Sequence, residues 1–529
     1  MTIPNFNDRG GCFLCNTGES EGNTNLTRRR FLSGSAIAGA TFATAVTGTP
    51  SPAFARKSPA RVQPPHRDCI IEASWALTYT DGKLALLPDA SVRVKDDRIE
   101  EVKSGRIAGR TKRVHAHGQL LLPGLISGHT HACSASPTRG LIESGRSYAR
   151  PLEVVESLTD EELDALTAYN VAELLRSGCT THVEMSLSLR QAQSYVRIAK
   201  RWGVRGYPGG MIPGIARLFP IWFRKDDQVL RDSVQDTLKE IEANRQFGLA
   251  NNNAEDGRIR PQMTPHATDT HTPETITAIL AAAKELGNGI HIHLSQGAGE
   301  NTAVKRLWNK RPAEWLEGLE FYSQPVFAAH LLAAEPASDL PVLVRNKVTF
   351  GHCPSANGAG GSSGLHPYPE ALAAGLNTSI GIDTHSNDYV ENIKLAVLYG
   401  RARARLLADK SPVPLKAPTL WDAIASATVN PANGLKRDDL GRIAVGAKAD
   451  LCTIDVSGLL TGVGTVPPEP LNNLLYANGL CVRHVMTDGN FQFYDGRMVI
   501  DDEARVLQRG GAVVAKVWEQ LRTEKWFEA

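Results

Sequence analysis

Five stretches of this 529-residue chain end an apolar run on a side chain that binds metals. The first is Pro123-Gly124-Leu125-Ile126-Ser127-Gly128-His129-Thr130-His131. Residues i and i+2 of a strand project from the same face, so His129 and His131 can grip one ion without rearrangement. An HxH alone says little. The others add weight: Ile290-His291-Ile292-His293-Leu294, Ala328-Ala329-His330, Phe350-Gly351-His352 and Gly381-Ile382-Asp383. Buried imidazoles and carboxylates are costly unless they share a partner, and core packing does not account for such ends in series. Three imidazoles and one carboxylate leave a position open on zinc or iron, where water can be activated.

Such a set works only if the strand ends are neighbours in space. From about 120 onward, strand-like runs alternate with amphipathic helices, the pattern of a parallel sheet. Strands are expected at 120–126, 180–185, 204–208, 259–264, 290–294, 325–329, 347–351 and 378–382. Helices are expected at 160–176, closed by Gly178, and near 232–245. Of the pair on the fifth strand, only His293, nearer the C-terminal end, is expected to face the lumen with the others. Eight β-α units in one run predict a closed barrel rather than an open doubly wound sheet, with its chemistry at the C-terminal strand ends. The flanks read differently. Ala90-Ser91-Val92-Arg93-Val94 alternates and turns at Asp96-Asp97, and similar texture returns in Gly441 to Ile454. The expected fold class is α/β: a (β/α)8 TIM barrel over 122–430, a small β-sandwich formed from the N- and C-terminal flanks (66–121 and 431–510), and a C-terminal helix at 511–529.

The first-strand stretch resembles the opening motif of the amidohydrolase superfamily. Pro265-His266-Ala267, His293-Leu294-Ser295-Gln296, Ala329-His330, His352-Cys353-Pro354-Ser355-Ala356-Asn357 and Gly381-Ile382-Asp383-Thr384-His385-Ser386-Asn387 follow in the order of its cytosine deaminase and triazine hydrolase branch. Leu440 to Asp450 is similar to the returning sandwich segment of that superfamily. The resemblance implies that His129, His131, His293 and Asp383 hold one divalent ion, zinc or iron. Asp383 would also take a proton from water, and His330 would stabilise the developing anion. His266, His352 and Asn387 are the implied substrate contacts, while His291 and His385 are read as structural. No lysine ends the fourth strand, where binuclear members carry a bridging one, so a mononuclear site is expected.

The departure is Gln296. Deaminases of this branch carry glutamate there to protonate a ring nitrogen, and glutamine can donate a hydrogen bond but not a proton. Glu300 is the nearest replacement acid. The expected function is a metal-dependent hydrolase that uses metal-activated water on a non-peptide C–N bond of a cyclic amide, amidine or aminated heterocycle, or displaces an amine or halide. Two rivals stand beside it: a binuclear amidase or dipeptidase, and a catalytically impaired, metal-containing periplasmic binding protein.

With 58 Lys+Arg against 56 Asp+Glu and no basic stripe, the chain lacks the footprint of a nucleic-acid binder. No apolar stretch reaches the roughly 20 residues that span a bilayer. Thr27-Arg28-Arg29-Arg30-Phe31-Leu32, a weakly apolar segment and Ala53-Phe54-Ala55 resemble a twin-arginine signal over 1–55. That implies the twin-arginine translocase as a partner and a periplasmic or secreted location. Cys12 and Cys15 fall in this presequence, and the other six cysteines are expected as buried apolar residues. The remaining partner is a small-molecule substrate, with a homodimer compatible. The segment 208–225, carrying Met211, Phe219, Trp222 and Phe223, is a candidate cap for the barrel mouth.

Overall fold

The structure, a computed structural model, describes residues 64–528 apart from 66, 142, 143, 145, 148 and 360–364. The signal segment read at 1–55 lies outside the described residues.

The flanks build one eight-stranded sheet. Its members are β1 (Asp68–Thr80), β2 (Lys83–Lys95), β3 (Arg98–Ser104), β4 (Arg113–Pro123), and, from the far end of the chain, β13 (Leu451–Asp455), β14 (Val482–Thr487), β15 (Asn490–Tyr494) and β16 (Arg497–Met498). The order is β16-β15-β14-β13-β4-β1-β2-β3, so β4 and β13 join the two flanks. Alternation buries one row of residues: Val92 and Val94 pack with Ile71, Val114 and Leu121, while Arg93 is half-buried and Lys95 exposed.

The remaining strands are β5 (Leu125–Thr130), β6 (Cys179–Ser186), β7 (Arg205–Ile212), β8 (Thr264–Pro265), β9 (Ile290–Leu294), β10 (Val326–His330), β11 (Thr349–His352) and β12 (Asn377–Ile380). They pair in parallel as β5-β6-β7-β8 and β9-β10-β11-β12. Two seams close the ring. Thr130 bridges Asp383 beside β12, and Met263 bridges Ile290 of β9. The barrel expected from strand count is therefore closed by backbone pairing.

Several boundaries differ from the sequence reading. Leu120 to Leu122 belong to β4, paired with β13 in the flank sheet, and the barrel starts at Leu125. Gly124 makes the switch: its N–H donates to the Asp450 carbonyl at 2.7 Å, and a Cβ there would lie 2.2 Å from Thr180 Oγ1. The fourth strand shrinks to Thr264–Pro265, with only isolated bridges at Ile259 and Met263, because prolines at 261 and 265 remove ladder donors. The C-terminal helix runs from Glu503 to Thr523, starting earlier than 511 where Asp502 caps it.

Helices cover the barrel as the periodicity predicts. Asp160–Arg176 begins at a Thr159–Glu162 capping box and buries Leu163, Leu166 and Leu174. The C-terminal helix packs on it, with Gly510 seated against the Tyr169 ring. Five of the six described cysteines are buried, as expected.

Barrel and flank sheet are tied by a buried ion cluster. Arg205, at the start of β7 and fully buried, donates to both Asp450 oxygens (2.8 and 3.1 Å) and to Asp488 (2.6 Å). Lys448 and Arg258 approach Asp488 at 3.4 Å.

Candidate metal centre

Four strand ends deliver their side chains to one point. His131 Nε2 lies 3.4 Å from Asp383 Oδ1, His129 Nε2 4.0 Å from the same oxygen, and His330 Nε2 3.9 Å from Asp383 Oδ2. His129, His293 and His330 form one group whose ligand atoms lie within 4.8 Å of one another; His129, His131 and Asp383 form another. Both groups contain His129. Gly381 allows the approach, since a Cβ there would sit 2.8 Å from the His129 Cβ.

The backbone at these ends is strained. His330 (φ 78°), Asp383 (φ 59°) and Ser295 (φ 46°) occupy the left-handed region, which costs of order 1–3 kcal/mol for such residues. Each follows or ends a barrel strand, where the chain leaves the ladder to aim a side chain inward.

The ring nitrogens are sorted by their partners. His131 Nδ1–H donates to the Met185 carbonyl (2.5 Å) and His293 Nδ1–H to the His266 carbonyl (2.9 Å), leaving both Nε2 lone pairs for the centre. His129 Nδ1 lies 2.7 Å from His291 Nε2, and His129 Nε2 is buried without a hydrogen-bond partner. For His129 Nε2 to be a ligand, its Nδ1 must donate and His291 Nε2 accept. His291 thus sets the tautomer of His129. Burial, reinforced by neighbouring imidazoles, holds His129, His293, His266 and His291 well below the usual imidazole range, so they are neutral and can act as lone-pair donors. Burial lowers His131 as well, against the pull of Asp383.

His330 stacks on His293 at 5.2 Å between centroids, and burial pushes it down to about 4 despite Asp383. His266 packs edge-on to His293 (5.2 Å) with its Nε2 unpartnered, and Trp222 caps it at 4.7 Å. Gln296 is buried with both side-chain amide atoms unpartnered. His352 Nε2 is likewise unpartnered, and its Nδ1 meets His366 Nδ1 at 3.0 Å.

Three expectations need correction. Asn387 does not turn to the substrate side: its Nδ2 donates to Glu173 (2.8 Å) and Asn170 (3.1 Å) on the helix behind the strand end. Glu300 is not poised to hand a proton outward. One oxygen accepts the Gln296 N–H (2.8 Å) and the other engages Thr268. His291 faces inward together with His293, since both lie on one strand face, and it sits beneath His129.

Sequence reasoning passed over Glu184, Asp269 and His366. Glu184, near the C-terminal end of the second barrel strand, accepts the Ala132 N–H (2.9 Å) and braces the loop after His131. Burial raises its carboxyl to about 8. Its place near a strand end is the signal that would have found it. Asp269 lies in the 3-10 turn Thr268–Thr270 and His366 just before the helix Tyr368–Ala373, where no periodic signal marks either residue.

The chain is similar in sequence and in fold to characterised proteins. The amidohydrolase family model matches residues 120–491. A 5'-deoxyadenosine deaminase of Methanosarcina acetivorans is 27% identical over 458 residues, covering 83% of this chain and 96% of that protein. A 5-methylthioadenosine/S-adenosylhomocysteine deaminase of Moorella thermoacetica is 29% identical over 430 residues, covering 77% and 90%. Among solved structures, a zinc-complexed atrazine chlorohydrolase from Arthrobacter aurescens superposes with a TM-score of 0.70 at 20% identity, covering 84% of this chain and 100% of that one. A zinc-bound adenosine deaminase from Xanthomonas campestris gives 0.69 at 22%, covering 86% and 100%. The chain belongs to the amidohydrolase family. It is a metal-dependent hydrolase of carbon–nitrogen bonds other than peptide bonds.

Proposed function

We propose that this enzyme removes an amino group, or another leaving group, from a ring carbon of a nitrogen heterocycle, with one divalent cation held by His129, His131, His293 and Asp383. The convergence of these four side chains carries the reading. The donor set fits such an ion, because His129 Nε2 is buried with no other partner and the Nδ1 atoms of His131 and His293 are already committed. Zinc in two structural neighbours supports that metal. A single ion is supported by the two donor groups sharing His129 and by Thr264-Pro265-His266 ending the fourth strand without a lysine. When bound, the cation supplies Lewis acidity that brings a water's pKa toward neutrality.

The protein's own groups do the rest. Asp383 accepts a proton from the attacking water and passes it to the departing nitrogen. Neutral His330, beside Asp383, donates a hydrogen bond to the oxygen as charge develops. Gln296 donates from Nε2 to a ring nitrogen and accepts at Oε1 from an exocyclic N–H, a pairing that suits an amidine edge. His266 and His352 offer further contacts through their open Nε2 atoms.

Gln296 also favours a second reading. Without a proton from that position, a group that departs as a stable anion, such as halide, is the easier one to displace. Metal analysis with an ammonia-, amine- and halide-release screen over aminopurine nucleosides and substituted triazines tests both. One ion per chain with turnover is the expected result. Two ions per chain would point to a binuclear amidase, and binding without turnover, unchanged by Gln296→Glu, to a binding protein.

Export by the twin-arginine route is proposed from the order of Arg28-Arg29, the apolar segment and Ala53-Phe54-Ala55. Lysine at positions 28 and 29 should leave the enzyme in the cytoplasmic fraction; unchanged periplasmic recovery would refute the route.

A further inference from the structure

Beside the candidate metal centre lies a buried pair of carboxyls that no step above uses. Glu300 is 1% exposed and Asp269 3%. They belong to different loops. Asp269 stands in the turn after the fourth strand, three residues beyond His266, and Glu300 in the first turn of the helix Ala298–Trp308, after Gln296. Glu300 Oε2 accepts the Gln296 N–H at 2.8 Å, while Oε1 faces the Thr268 N–H at 3.3 Å and the Thr268 hydroxyl in a short contact. Asp269 Oδ1 is buried without a hydrogen-bond partner, and the nearby Trp222 ring caps His266 at 4.7 Å. Glu300 therefore ties the loop that carries Gln296 to the turn that follows His266.

We propose that Glu300, hydrogen-bonded between the Gln296 and Thr268 peptides and next in the fold to Asp269, is a positioning residue for substrate recognition that clamps the loops of Gln296 and His266 in register. The inference rests on the reading of Gln296 and His266 as substrate contacts. Two ionised carboxylates cannot coexist cheaply in so dry a place. Burial raises the Asp269 carboxyl to about 6, against the pull of Arg224, whose guanidinium is buried and held by the Ile221 carbonyl and Asp227, so Asp269 ionises before Glu300. Glu300 is then the neutral member. Burial first, and then Asp269, push it up to about 8. The other groups around the pair do not offset a second charge. Tyr322 is held well above its usual range, His266 and His271 are held neutral by burial, and Arg306 is engaged by Asp227.

The direction of the pH effect follows. Glu300 keeps its proton in the folded state to about 8 but loses it near 4.5 when unfolded, so stability is full below 4.5 and declines as pH rises toward 8. Above that, repulsion between the two carboxylates should loosen the Gln296 and His266 loops, which weakens binding more than chemistry. Misplacement of about 1 Å can cost up to 10²-fold.

The test uses the metal-loaded enzyme and compares it with Glu300→Gln, which keeps a neutral side chain of the same shape. Difference infrared spectra at pH 7 should show a neutral carboxyl C=O band in the wild type that Glu300→Gln lacks and that fades as pH passes about 8. Glu184 cancels in that difference. The melting temperature of the wild type should fall relative to Glu300→Gln between pH 5 and 8. With a substrate from the screen, wild-type KM should rise about 10-fold above pH 8 at nearly constant kcat, and Glu300→Gln should remove the rise. Should Glu300→Gln fail to fold, Asp269→Asn serves: loss of the neighbouring charge should move the infrared titration to lower pH. A missing carboxyl band, or a Glu300→Gln variant that loses kcat with KM unchanged, overturns the proposal. The infrared and melting results need no turnover, so they stand or fall separately from the choice of substrate.

Discussion

Asp383→Asn is expected to lower kcat/KM by about 10³–10⁴-fold while metal content stays near that of the wild type. The amide keeps an oxygen where Asp383 Oδ1 lies 3.4 Å from His131 Nε2 and 4.0 Å from His129 Nε2, so it can still face the ion. It cannot accept a proton, and the water's proton then has no carrier to the leaving nitrogen. Asp383→Ala should differ in kind, since it removes a ligand as well as a base, and metal should be lost along with activity. Measuring metal stoichiometry and kcat/KM on both variants separates the roles. A glutamine-like outcome, with Asp383→Asn within tenfold of the wild type, would mean that another group takes the proton. His330, 3.9 Å from Asp383 Oδ2, would then be the first to examine.

Arg205→Met is expected to cost about 3–5 kcal/mol of stability, because breaking a buried ion cluster from one side leaves charge stranded. Arg205 is fully buried and donates to both oxygens of Asp450 and to Asp488. Lys448 and Arg258 still reach Asp488, so Asp450 bears most of the loss. Burial acts to raise the Asp488 carboxyl, yet Arg205, Lys448 and Arg258 outweigh it and hold it below its ordinary 3.8. A carboxylate so depressed adds stability above pH 3.8 that disappears as pH falls further, and Arg205→Met should flatten this acid limb. Thermal unfolding across pH 2–7 checks both points. Adding Asp450→Asn to Arg205→Met should recover part of the loss, since the stranded charge is then gone. A loss below about 1 kcal/mol would place the cluster among ordinary surface pairs.

Much of the site was readable before any coordinates, for a specific reason. A barrel places function at the C-terminal ends of its strands, so an apolar run followed by His or Asp marks a position as well as a residue type. His129, His131, His293, His330 and Asp383 all lay at such ends and all converge. His266 and Gln296 were legible for the same reason. Asn387 was misjudged because it lies beyond the strand end, where the chain has turned toward the helix Asp160–Arg176 and Glu173 can claim its amide. Glu300 was read as the nearest replacement acid, but its carboxyl faces Thr268 and the Gln296 peptide, which no spacing could tell. The fourth strand was overdrawn because 259–264 was read as a continuous strand although Pro261 within it and Pro265 after it remove ladder donors.

What the amino-acid order determined by itself was the local grammar: which runs become strands, which side chains end them, and how many β-α units follow one another. Those are short-range properties, set by periodicity and by the turn residues between elements. Only the tertiary structure decided that Thr130 meets Asp383 to close the ring, that His291 orients His129, and that Glu300 lies buried near Asp269. Each of these joins residues far apart in the chain, and such contacts depend on loop closure and packing around a shared core rather than on any local preference.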